Sequence, residues 1–365
     1  MNRNLLLATL TVLLVACASK PPATPPVTGP RYTAAPGPNP VGVIPAGSIR
    51  DTARNKTLEV SIDYPTKPGP HPLVIFSHGL GSAPRDYTGL AAFWSSHGFV
   101  VVRPAHADAR RPGETTARSE DLGRQAPADW LERTRDVRFI IDSIPALEQQ
   151  YPELQGKIDP TRIGVGGNSY GAFTTMLLAG ARTFMDPNAP VSYGDPRITV
   201  AMAISPQGPG ERRGLTEQSW SEVRIPTLYM TGSADVGTAE GENPEWRRQA
   251  FELSPPGDKW FVLLQGAGSA TFVGRSALPA DQAETRDPIL QPSPADPRDP
   301  RGTSQQLPAQ SRTRTVAAFE RDRQLFRGVQ AISLAFWDSY LKNDAKAKEY
   351  LTSLTTRTDL EARTK

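Results

Sequence analysis

Gly167-Asn168-Ser169-Tyr170-Gly171 fits the pattern G-x-S-x-G. A serine hydroxyl attacks a carbonyl only when it stands clear of its backbone and a neighbouring group takes its proton. The sharp strand-to-helix turn that presents such a serine needs small flanking residues. The context fits, because the β-rich run Ile163–Gly166 precedes the pattern and the apolar run Ala172–Leu178 follows it. A plain glycine-rich turn is the alternative reading. Upstream, the apolar run Leu73–Ser77 enters the loop His78-Gly79-Leu80-Gly81. A strand running into such a loop can aim a backbone N–H at a developing oxyanion. The two donors would then be the amides of Leu80 and Tyr170. His78 reads as a structural residue that braces this loop.

Where a triad runs in the order Ser…Asp…His, its acid lies further along the chain, after a later strand. Asp235 follows the strand-like segment Ile225–Gly232 and occupies that place, although an aspartate after a strand is also an ordinary turn former. The base is harder to find. The four histidines are His71, His78, His97 and His106, all ahead of Ser169. His106 lies just past the run Phe99–Arg103, at the strand edge where α/β sites form, and is the one candidate for a relocated base. An exposed loop position or a pocket-lining role are the plainer readings of it. His71 precedes its strand and His97 sits in a helix-to-strand turn, so both read as surface residues.

The segments PHPLVIFSHGLGS, SSHGFVVVRPAHAD, RIGVGGNSYGA and IPTLYMTGSAD resemble the dienelactone hydrolase and platelet-activating-factor acetylhydrolase-like branch of the α/β hydrolases. The resemblance spans roughly residues 45–345. It implies hydrolysis of carboxylic esters, of acyl-lipid or polyester type. Ser169, where dienelactone hydrolases proper carry cysteine, is similar to the serine esterases, including acetylhydrolases and bacterial polyesterases. The resemblance also implies a histidine in the turn after Trp260–Leu264, where this chain reads Gly266-Ala267-Gly268-Ser269. Ser269 therefore stands at the place of the expected base. Its hydroxyl has no useful basicity near neutral pH, and losing the imidazole of a triad costs on the order of 10⁶ in turnover. Two functional readings follow: a weak or altered serine esterase, and a catalytically dead relative that binds a ligand in the retained pocket.

The elements that must hold these residues alternate short β-rich runs with amphipathic helices. That pattern predicts an α/β-hydrolase fold, a mostly parallel central sheet covered by helices on both faces. The strands are Thr57–Tyr64, Leu73–Ser77, Phe99–Arg103, Ile163–Gly166, Val200–Ile204, Thr227–Thr231 and Trp260–Leu264. One helix carries Val137, Ile140, Ile144 and Leu147 on a single stripe, and the last carries Phe319, Phe326, Val329, Ile332, Phe336 and Tyr340.

Residues 1–16 read as a lipoprotein signal peptide, with Arg3 before the apolar run Leu5–Ala16. Leu14-Val15-Ala16-Cys17 resembles the lipobox of bacterial lipoproteins, which makes Cys17, the sole cysteine, the lipidation site. An ordinary signal peptide with an incidental cysteine is the alternative. Residues 17–46 read as a lipidated cysteine and Pro-rich tether, 47–350 as the catalytic-type domain with a Pro-rich insertion about 278–314, and 351–365 as a polar tail. The expected location is the bacterial cell envelope, with the lipid anchor in the outer membrane and the domain facing the periplasm. Ala18 after the cysteine favours that membrane by resemblance to enterobacterial sorting.

Composition narrows the remaining classes. With 41 basic and 38 acidic residues in 365, the net charge of +3 gives no nucleic-acid footprint. No metal-ligand spacing, Walker loop or dinucleotide fingerprint is present, so no metal and no cofactor are expected. The expected partners are a small-molecule or lipid ester and the membrane, with protein partners left open.

Overall fold

The computed structural model describes residues 32–110, 127–210, 213–237, 241–274 and 316–365. Its central sheet is built from β1 (Val41–Asp51), β2 (Lys56–Pro65), β3 (His71–Ser77), β4 (Val100–Ala105), β5 (Ile158–Asn168), β8 (Ile198–Ile204), β9 (Thr227–Gly232), β10 (Lys259–Leu264) and β11 (Leu360–Thr364). The order across the sheet is β1-β2-β4-β3-β5-β8-β9-β10-β11. From β4 to β10 every neighbouring pair is parallel, while β1, β2 and β11 are antiparallel additions at the two edges. A small hairpin of β6 (Arg182–Thr183) and β7 (Val191–Ser192) stands apart.

The parallel strands are apolar on both faces because both faces are covered. Leu73 and Ile75 of β3 join one core with Val137, Ile140, Phe173 and Phe251. These come from the helices α2 (Pro127–Asp142), α4 (Tyr170–Leu178) and α5 (Pro244–Glu252), with α3 (Ile144–Gln150) packed alongside. Val74 and Phe76 point the other way, into a core with Trp94, Val329, Ile332, Phe336 and Trp337. That face belongs to α1 (Thr88–Ser96), α7 (Val316–Leu341) and α8 (Ala345–Leu354), with the short α6 (Ser269–Phe272) beside them. The predicted fold class is therefore the observed one. Each of the seven strands read from the sequence is present.

Four details differ from the sequence reading. The single stripe from Val137 to Leu147 is two helices, since Pro145 lacks an N–H and clashes with the preceding turn, so a new helix starts at Ile144. Edge strand β1 was not foreseen; Pro45 and a register shift between Ile44 and Gly47 interrupt its apolar pattern, which an edge tolerates. The tether does not extend to Ala46. Gly37 N–H donates to Ser96 Oγ at 2.8 Å, and the Tyr32 hydroxyl donates to Asp338 at 3.1 Å with its ring 5.2 Å from that of Tyr350. Nor do residues 351–365 form a free polar tail, because they complete α8 and pair β11 with β10. The expected signal peptide, the expected lipidation site Cys17 and the expected Pro-rich insertion lie outside the described residues. Among the described residues no helix is long and apolar enough to cross a membrane.

Candidate active site

Ser169 stands between β5 and α4 with φ 53° and ψ −113°, a left-handed backbone that a residue with a side chain adopts only under strain. Its amide is tied to Ile204 O at 2.8 Å, and its carbonyl receives Gln207 Nε2 at 2.9 Å and the Phe173 amide at 3.1 Å. The turn is thus held from both sides. The two glycines of the motif are required by close approach. A methyl group on Gly167 would lie 2.2 Å from Gly171 O, and one on Gly171 would lie 2.0 Å from Ser77 O. The elbow therefore presses directly on the end of β3. Ser169 is half-buried between buried neighbours, and among the described residues its hydroxyl makes no hydrogen bond.

The loop after β3 is fastened to the elbow through one phenol. Tyr87 Oη accepts the Gly79 amide at 3.1 Å and donates to Asn168 Oδ1 at 3.0 Å, and Asn168 Nδ2 reaches Ser205 Oγ at 3.3 Å. The Leu80 amide has no hydrogen-bond partner among the described residues, and Tyr170 is the first residue of α4. Helix N-termini concentrate N–H groups and positive potential, which suits a developing anion.

Asp235 is completely buried, in the turn after β9. Thr231 Oγ1 donates to its Oδ2 at 2.9 Å, Arg247 Nε lies 3.2 Å from the same oxygen, and Ser269 Oγ donates to Oδ1 at 3.2 Å. Arg247 also donates to Ser205 O at 3.0 Å, so the turn holding the acid and the strand end beside the elbow share one guanidinium. Ser269 opens the short α6 and is exposed. The structure thus joins two of the residues singled out from sequence, Asp235 and Ser269, on the same sheet edge as Ser169.

His106 goes elsewhere. Its Nδ1 donates to Asp136 Oδ2 at 2.9 Å and its Nε2 lies 2.9 Å from Ser77 Oγ. Both nitrogens are committed in a fully buried position, which leaves none for Ser169 and removes the relocated-base reading. Burial and the nearby Arg133 cation lower the His106 pKa, against the opposing pull of Asp136. Burial alone would raise the Asp136 carboxyl, yet hydrogen bonds from His106 and Lys56 outweigh it and hold the pKa at about 2. His78 braces its loop as expected, its Nδ1 meeting Gly79 O at 2.7 Å and its Nε2 accepting the His106 amide at 3.2 Å.

Asp136, Arg133, Arg247 and Thr231 carry much of this arrangement and were not read from the sequence. One signal existed for the first two. Arg133 and Asp136 lie on the same helical stripe as Val137 and Ile140, and charges on a buried face need partners there. Among the described residues no cluster of side chains could hold a metal ion.

A family model described as Chlorophyllase matches residues 40–179. The match includes the loop after β3 and the elbow, whereas Asp235 and Ser269 lie beyond it. Joined to the sheet order and the strained serine, it decides the architecture. The chain has the α/β-hydrolase fold. Platelet-activating factor acetylhydrolase of Cavia porcellus is 25% identical to it over 36% of this chain and 35% of its own length. The Canis lupus familiaris enzyme of the same name is also 25% identical, over 29% of this chain and 31% of its own. This α/β-hydrolase-fold chain spans about a third of the length of the curated relatives it matches.

Proposed function

We propose that the protein is a serine hydrolase of carboxylic esters whose turnover is slow because its triad lacks an imidazole. The observation that carries this reading is the strained, half-buried Ser169 seated against the loop after β3. Ser169 Oγ attacks the ester carbonyl, and the Leu80 and Tyr170 amides hold the oxyanion that forms. The alcohol leaves, and water releases the acyl group. Asp235 occupies the acid position, and Ser269 donates to it where a histidine would stand. A water held between Asp235 and Ser169 is then the only relay for the proton, which makes for a weak base.

The names of the matched relatives, an acetylhydrolase and a chlorophyllase, support ester substrates with a lipid-like part. Attachment to the bacterial envelope through a lipid on Cys17, with the domain in the periplasm, fits such substrates; two or more acyl chains hold stably where one does not. The specific observation behind a second reading is that Asp235 is already satisfied by Thr231, Arg247 and Ser269. A site so closed on itself suits a ligand-binding module without turnover. A fluorophosphonate probe separates the two. Covalent labelling of the wild type that disappears in Ser169→Ala supports the hydrolase. A wild type that stays unlabelled at high probe concentration supports the binding module.

A further inference from the structure

Behind the loop after β3 lies a second, complete series of serine, histidine and aspartate, all but sealed from solvent: Ser77 and Asp136 are 0% exposed and His106 is 2% exposed. Its proton positions follow from its partners. The Asp136 carboxylate only accepts, so His106 Nδ1 carries a proton. Ser77 Oγ receives Arg133 Nη1 at 3.2 Å, which leaves the hydroxyl hydrogen to point at His106 Nε2. Asp136 is held in turn by Lys56 Nζ at 2.6 Å and Arg54 Nη1 at 2.8 Å.

Arg133 extends the series to the loop carrying Leu80 and to the Tyr170 side chain. It donates to His78 O at 2.7 Å, two residues before Leu80, and its guanidinium lies 4.3 Å from the centre of the Tyr170 ring. Asp108 fixes it from the other side, at 3.1 Å to Nε and 2.6 Å to Nη2. Ser77 cannot act as a nucleophile in this setting because nothing reaches it. Its hydroxyl instead links His106 to Arg133, which holds the loop at His78 O.

We propose that Ser77, His106, Asp136 and Arg133 are positioning residues for the oxyanion donors, a buried brace that sets the Leu80 amide against the Tyr170 amide. The proposal rests on the reading of those amides as an oxyanion hole. The chemistry it serves is charge stabilisation in the tetrahedral state, so the brace affects the rate of bond formation and leaves initial binding alone.

The test uses the wild type and three variants, Ser77→Ala, His106→Asn and His106→Gln, each first shown to be folded by near-UV circular dichroism. His106→Asn keeps a donor near Asp136 but does not reach Ser77, whereas His106→Gln places its amide near Ser77. Two readouts are taken: the saturating rate and half-saturating concentration of fluorophosphonate labelling at Ser169, and the amide NMR signals of Leu80 and Tyr170. Ser77→Ala and His106→Asn are expected to slow the saturating rate about 10–100-fold with half-saturation nearly unchanged, and to shift both amides. His106→Gln is expected to recover most of that rate. If Ser77→Ala and His106→Asn label at the wild-type rate and leave both amides in place, the brace is overturned. Should the wild type itself not label, the hydrolase reading fails, and the two amide signals still decide whether the brace positions them.

Discussion

Ser77, His106 and Asp136 form a complete hydrogen-bonded series in the protein interior, whereas Ser169, Asp235 and Ser269 share the open sheet edge without an imidazole. The first has every proton accounted for and no route to a substrate. The second has a strained serine and a satisfied acid. Hydrogen-bond order alone therefore does not distinguish the two serines. What separates the two is backbone strain and exposure, both present at Ser169 and absent at Ser77. The imidazole stands where it holds a loop.

If the sealed series is structural, breaking it costs stability first. Asp136→Ala is expected to destabilise the fold by about 3–5 kcal/mol, because Lys56, Arg54 and His106 lose a shared, fully buried partner. Urea denaturation measures this, and a loss under about 1 kcal/mol would remove the contrast between the two regions.

Acid should act on the same region. His78 and His106 are held below the usual imidazole value, chiefly by burial and then by the Arg133 charge. The unfolded chain then binds protons that the fold refuses, so stability falls as pH drops below about 6.5, by at most about 1.4 kcal/mol per pH unit for each proton. Asp108 and Asp136, both lowered to about 2, add a second loss as pH falls from about 4 toward 2. Above neutrality these groups contribute no slope. A urea midpoint that stays level from pH 7 to pH 5 would contradict this account.

The open edge should be the tolerant one. Ser269→Ala removes one of the two hydrogen-bond donors to the Asp235 carboxylate, from an exposed position, and leaves the Thr231 bond and the Arg247 ion pair; the expected cost is about 1 kcal/mol or less. A loss as large as that of Asp136→Ala, read in the same urea titration, would make Ser269 a structural keystone.

Much of this was legible in the sequence. The elbow follows from Gly167 and Gly171, which allow the backbone approaches seen at Ser77 O and Gly171 O, and the doubly apolar strands declared a parallel sheet covered on both faces. Edge strands β1 and β11 were hidden, the one by Pro45 and two glycines, the other by the polar run Leu360–Thr364, because an edge needs no continuous apolar pattern. His106 was placed at the correct sheet edge, but its direction was set by Asp136, thirty residues on in helix α2. Pairings of that kind depend on how α2 packs against β3 and β4, which local pattern does not encode.

The proposed hydrolase site holds Ser169, Leu80, Tyr170 and Asp235 and lacks only its base. Ser269→His tests it most directly, with turnover of an activated acetate ester as the measurement and Ser169→Ala on the same background as control. Turnover is expected to rise about 10²–10⁴-fold over the wild type, and the control is expected to abolish the rise. Turnover unchanged by Ser269→His, or a rise that survives Ser169→Ala, would contradict it.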